Sequence, residues 1–213
     1  MNNTFNSILV LTLVVLGCTS SEIPDELSWR DYLSWMKENQ AEFEKGKKVN
    51  QINLSANYYP AEFLAYQELV KSNFVVKADY DSVLQDYKCS LTFRIKLTPD
   101  NKEFNLLRHN ISSIEDYKAR ATYLIFSSAE FIYLTVDEIT YTPVLTNYEG
   151  YNELSNELVF AVVFQPKEYS CNGLEKDVEK LRLTFEDPYW DMGVNHFTYD
   201  AQTIGNTPKI KFI

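Results

Sequence analysis

The sequence predicts an α+β fold, a predominantly antiparallel sheet with about three packing helices. Three observations lead there. Apolar runs with strand character follow one another through short connections, the pattern of antiparallel pairing. Helical patterns are few and irregularly spaced, so they pack on a sheet rather than cross between parallel strands. Tyr 15 and Phe 13 against Gly 6 suit a filled, sheet-rich core.

The elements follow in order. Ser28-Trp29-Arg30-Asp31 reads as a helix start, an N-cap serine with an acid three residues on. Trp29, Leu33 and Met36 fall at i, i+4 and i+7, which predicts a helix to about Asn39. Strand character begins around Lys45-Gly46-Lys47-Lys48. Ile52, Leu54, Ala56 and Tyr58 then alternate with Asn53, Ser55 and Asn57. Pro60 suits the first position of a helix that carries Phe63, Leu64, Gln67 and Val70 and ends near Lys71. Cys89, Leu91, Phe93, Ile95 and Leu97 alternate with polar residues on a further strand. Ser112-Ser113-Ile114-Glu115 is a second capping box, before a helix whose face is Ile114, Tyr117, Ala121 and Leu124.

The remainder reads as strand: 131–136, 139–145, 158–164, 181–185 and 197–199. Leu158 to Phe164 is apolar throughout, so it should be a central strand covered on both faces. Lys209-Ile210-Lys211-Phe212-Ile213 alternates and reads as a closing strand. Residues 28–213 thus read as a single α+β domain, of a length that supports a substantial core.

Residues 1–17 have another character. Ile8 to Leu16 is an apolar run of about half the ~20 residues that span a bilayer as a helix. It fits the h-region of a signal peptide. The close Leu16-Gly17-Cys18 resembles the lipobox of bacterial lipoproteins. The resemblance implies cleavage before Cys18 and acylation of that cysteine, and several acyl chains anchor stably where one does not. Residues 18–27 would then be a polar tether. Its stretch Thr19 to Asp25 extends about 25 Å at most. The formal net charge of −10 argues against nucleic acid and against docking on anionic lipid through basic patches.

The stretch Tyr58-Tyr59-Pro60-Ala61-Glu62, a strand running into a helix, is similar to a recurrent pattern in uncharacterised lipoproteins of Bacteroidetes-type bacteria. The tail Phe197-Thr198-Tyr199-Asp200 with Thr207-Pro208-Lys209-Ile210-Lys211-Phe212 resembles the end of the same proteins. The resemblance implies a lipid-anchored envelope protein, at the outer membrane and facing the periplasm, with the cell surface as the alternative. It also implies a candidate O-glycosylation at Ser82, within Asp81-Ser82-Val83.

Chemistry is sparse. Gly-x-Ser-x-Gly, His-Glu-x-x-His, Walker A and Cys-x-x-Cys patterns do not occur. His109 and His196 each lack a second ligand at i+3 or i+4, so no metal or cofactor is expected. The acids Glu130, Asp137, Glu138 and Asp187 carry no readable mutual spacing. The connection 186–195 is the densest polar and aromatic loop. Asp187, Tyr189, Trp190 and Asp191 make it a candidate ligand loop, in which the two rings could stack on sugar faces. With Asn195, the two aspartates could alternatively hold Ca²⁺. Cys89 and Cys171 are a candidate disulfide in an exported protein, although Cys89 could equally sit free on the core side of its strand.

The expected function is therefore a non-catalytic, membrane-anchored lipoprotein, an accessory or assembly subunit with an envelope protein partner. A glycan- or peptide-binding lipoprotein is the alternative. An envelope hydrolase would require a pocket holding His109 or His196 beside carboxylates.

Overall fold

The structure, a computed structural model, describes residues 24–71, 76–101, 103–152 and 156–211. The leader and Cys18 lie outside the described residues. The fold is α+β with mostly antiparallel sheets.

The described chain opens with β1 (Glu26–Ser28), of which Glu26 and Leu27 were expected in the tether and Ser28 as the helix cap. Helix α1 (Trp29–Glu38) follows at once, with Ser28 accepting from the Asp31 amide as the capping pattern predicted. Its buried face differs from the expected one. Tyr32 is fully buried and Leu33 is 41% exposed. A short α2 (Gln40–Phe43) leads into β2 (Glu44–Val49) and β3 (Ile52–Tyr59). These pair as a hairpin through Asn50 and Gln51, both at positive φ (47° and 64°), the geometry of a type I′ turn.

Pro60 ends β3 and starts α3 (Ala61–Lys71), where Leu64 N–H donates to the Pro60 carbonyl. This helix buries Ala61, Ala65 and Leu69, not the Phe63–Val70 face the spacing suggested. Helix α4 (Lys77–Tyr87) packs on α3 and escaped the sequence reading. Strand β4 (Leu91–Pro99) buries every second residue from Leu91. Helix α5 (Ile114–Phe126) is capped by Ser113, whose Oγ accepts from Asp116 N–H, one residue later than expected. Its inner residues are Arg120 and Leu124, and Ile114 is 58% exposed.

Strands β5 (Ile132–Val136) and β6 (Ile139–Tyr141) form a hairpin. The expected single strand 139–145 is broken at Pro143, where the chain changes sheets into β7 (Leu145–Asn152). Strand β8 (Glu157–Phe164) lies between β4 and β7, interior as its apolar run required. Its inner residues are fully buried, Val159 is buried on the outer side, and Ala161 and Val163 there are half-buried. A small hairpin, β9 (Tyr169–Ser170) and β10 (Gly173–Leu174), precedes β11 (Lys180–Glu186) and β12 (Val194–Asp200). The described residues end in α6 (Ala201–Gly205), capped by Asp200, and β13 (Lys209–Lys211).

Strand order is β2-β3-β4-β8-β7 in one sheet and β12-β11-β5-β6 in the other. Their inner faces meet. Phe93 lies 5.2 Å from Tyr199 between ring centroids, and Phe160 lies 5.8 Å from Phe131. The Tyr199 hydroxyl crosses the interface to donate to the Ala56 carbonyl at 2.8 Å. Helices α1, α3 and α4 build a second cluster at one end, where Tyr32, Ala65, Leu69 and Tyr80 pack with Ile210. That Ile210 belongs to the closing strand β13, which pairs in parallel with β1. Phe212 lies outside the described residues.

Candidate functional site

The loop between β11 and β12 is a structural joint. The Asp187 carboxylate accepts from the amides of Tyr189 (2.8 Å), Trp190 (2.9 Å) and Met192 (2.6 Å). Asp191 and Gly193 supply the left-handed turn, at φ 57° and 64°. Trp190 is 2% exposed and its indole N–H donates to the Leu106 carbonyl at 2.9 Å. The platform expectation is corrected: a buried indole offers no face to a sugar, and Asp187 spends its oxygens on its own loop. Tyr189 is half-buried and lies 4.4 Å from the Arg120 guanidinium. Arg120 donates in turn to the carbonyls of Leu106, Leu107 and His109. Burial pulls the Arg120 pKa below its ordinary value, against Tyr189 and Asp187, which push it up. This guanidinium fastens α5 to the 106–110 turn.

The other candidates stand apart. His109 packs on Phe104 at 4.7 Å, whereas His196 is exposed on β12, its Nδ1 3.0 Å from Thr184 Oγ1. Glu130 accepts from the Tyr123 hydroxyl, and Asp137 and Glu138 occupy the exposed β5–β6 turn. Among the described residues no three His, Cys, Asp or Glu side chains converge as metal ligands. Ser82 is exposed on α4, and neighbouring Asp81 is paired with Lys77 at 2.7 Å.

Cys89 and Cys171 are joined in a disulfide. Cys89 sits in the turn between α4 and β4, before the strand begins. The bond fixes the tip of the β9–β10 hairpin to the end of α4. In doing so it builds one wall of a cleft of about 500 Å³.

That cleft gathers several buried polar groups, and sequence reasoning missed it. Strand β3 delivers Tyr58 as its last inward residue, and Pro60 turns the chain so that Glu62 follows on the first turn of α3. Helix α4 contributes Tyr80, the hairpin contributes Tyr169, and β13 contributes Lys209. Tyr58 and Tyr169 share a hydrogen bond between their hydroxyls. Desolvation raises the Glu62 carboxyl above its usual range, while its own backbone amide and Lys209 act against the shift. Desolvation and the Glu62 charge push the phenols of Tyr32, Tyr80 and Tyr169 up. These tyrosines therefore stay protonated as hydrogen-bond donors. Tyr32, fully buried beside them, has a hydroxyl without a partner.

The cleft can hold a ligand by hydrogen bonds at an apolar-backed floor. It contains no histidine, and its cysteine is in the disulfide. One sequence signal pointed to it. The Tyr58–Glu62 stretch and the Thr207–Lys211 tail were singled out separately as structural patterns. The fold brings Tyr58, Ala61, Glu62, Thr207, Lys209 and Ile210 to the same cleft.

The class of protein is thus a two-sheet α+β domain with a polar, tyrosine-rich cleft. No protein-family model matches the chain, and no curated protein matches it. Among solved structures it is similar to a protein of unknown function from Burkholderia pseudomallei K96243. The TM-score is 0.39 at 10% identity, over 84% of this chain and 88% of that one. It is also similar to a DUF4426 family protein from Pseudomonas aeruginosa PAO1. There the TM-score is 0.35 at 8% identity, over 74% of this chain and 91% of that one. Likenesses of this order carry no functional argument.

Proposed function

We propose that this protein is a lipid-anchored envelope lipoprotein whose α+β domain is a non-catalytic ligand-binding module. The anchor is the acylated Cys18, at the outer membrane and facing the periplasm, and the lipobox-like leader supports it. The observation that carries the binding role is the cleft: a desolvated Glu62 among protonated tyrosines, against a wall fixed by the Cys89–Cys171 disulfide. Concave sites with a few convergent polar groups and a perturbed carboxyl are the usual form of a small-molecule site.

Two measurements test the reading. Cys18→Ala should move the protein from the membrane fraction to the soluble fraction; retention would show that something other than the acyl group holds it. Native mass spectrometry of the protein purified from its own membranes should show a bound small molecule that Glu62→Ala loses. An unadorned protein mass in every preparation would end the binding role.

A second reading, an accessory subunit with an envelope protein partner, has one observation in its favour. Phe126 is 78% exposed and Ile125 is 44% exposed on the last turn of α5. A stoichiometric partner released by Phe126→Ser would support it.

A further inference from the structure

Resting on the ligand-binding reading, we infer that the cleft takes an uncharged, hydroxyl-rich ligand of one or two sugar rings. The charges around the cleft balance. Glu26, Glu62 and Asp81 stand against Lys77, Lys88 and Lys209. Asp81 and Lys77 already neutralise each other at 2.7 Å, and Glu62 feels the Lys209 charge. A site for a phosphate or polycarboxylate would carry surplus cations, and a site for a polyamine would carry surplus carboxylates. This cleft has neither surplus.

The uncharged lining matches the same class. Tyr80 and Tyr169, which carry hydroxyls, and Gln85 and Asn172, which carry amides, line the cleft. Each of these groups both donates and accepts hydrogen bonds. An ammonium ligand uses only acceptors and a fully ionised phosphate only donors, so half of that lining would go unmatched. A polyol uses both. Glu62 adds a carboxylate that accepts from ligand hydroxyls. Leu84, Ala61 and Ile204 supply the apolar surface that the C–H face of a sugar ring needs. The volume, about 500 Å³, lies in the lower part of the ~300–1,000 Å³ range of small-molecule sites.

The test uses the full-length protein in lauryldimethylamine oxide, a detergent without a sugar headgroup. Saturation-transfer NMR is run with maltose, cellobiose and chitobiose, then with spermidine and with citrate. Gln85 and Asn172 are exposed residues at the rim, so Gln85→Ala/Asn172→Ala should melt like the parent. The expected result is binding of a neutral disaccharide that the double substitution weakens about tenfold. Disaccharide binding that ignores the substitution overturns the inference. Binding of spermidine or citrate that the substitution weakens also overturns it, yet leaves the ligand-binding reading standing. Silence from all five compounds overturns it as well. In that case a bound molecule found by native mass spectrometry still upholds the binding role, and its absence removes both.

Discussion

Replacing Cys89 and Cys171 by serine removes a cross-link between residues 82 apart in sequence. In the chain-entropy account, a loop of that length restricts the unfolded ensemble by ~4.5 kcal/mol at 25 °C. For a chain of 150–250 residues, each kcal/mol shifts the melting temperature by roughly 2–4 °C. The double variant should therefore melt roughly 9–18 °C below the parent. The native side of the balance changes little, because the β9–β10 hairpin keeps other attachments. The Tyr141 hydroxyl donates to Glu168, Glu175 N–H donates to the Glu168 carbonyl, and Tyr169 stays bonded to Tyr58. Differential scanning calorimetry with and without dithiothreitol is the assay. The reductant should bring the parent down to the variant and leave the variant unmoved. A difference under about 3 °C would refute the entropic assignment. A fall in the variant on adding reductant would show that dithiothreitol acts elsewhere.

Three further outcomes are expected. Asp187→Ala should lose about 3 kcal/mol in urea unfolding, because the Tyr189, Trp190 and Met192 amides lose a charged acceptor; an unchanged midpoint would contradict the joint role of that loop. Ile210→Ala should cost about 2–4 kcal/mol through the cavity left among Tyr32, Ala65 and Leu69, read from the same denaturation curve. Glu62→Gln should stabilise the protein at neutral pH. Burial raises the folded-state pKa above the unfolded one, so the parent loses stability as pH rises from the ordinary carboxylate range through that raised value. Parent and variant should converge below about pH 4, and an advantage constant with pH would remove the desolvation argument.

The sheet was legible because a strand's period is strict. Ile52, Leu54, Ala56 and Tyr58, and likewise Leu91 to Leu97, all turned inward, since a slip of one residue would expose every one of them. Helix faces were less legible. A helix rotates about 100° per residue, so a face can slide sideways without losing all its apolar contacts. In α1 the deciding side chain was Tyr32, a large ring with a polar tip, and not Leu33. In α5 it was Arg120, which no apolar count would select; the carbonyls of Leu106, Leu107 and His109 called for a cation there. Helix α4 escaped notice because Lys77, Asp79, Asp81 and Asp86 leave few apolar positions, and it is held by α3. The cleft was the least legible feature. Glu62 and Lys209 stand far apart in sequence, and only the closing strand brings them together.

The pairing of β1 with β13 also sets a clock. Residues 26–28 leave the ribosome early, but their hydrogen-bonding partners are residues 209–211. At ~5–20 residues per second, roughly 10–40 s of synthesis separate the two strands. During that interval the α1–α3–α4 cluster lacks Ile210, and the edge of β1 has nothing to bind. The domain thus cannot seal itself while it is being made, and stays open to translocation machinery or proteases until residue 211 has emerged.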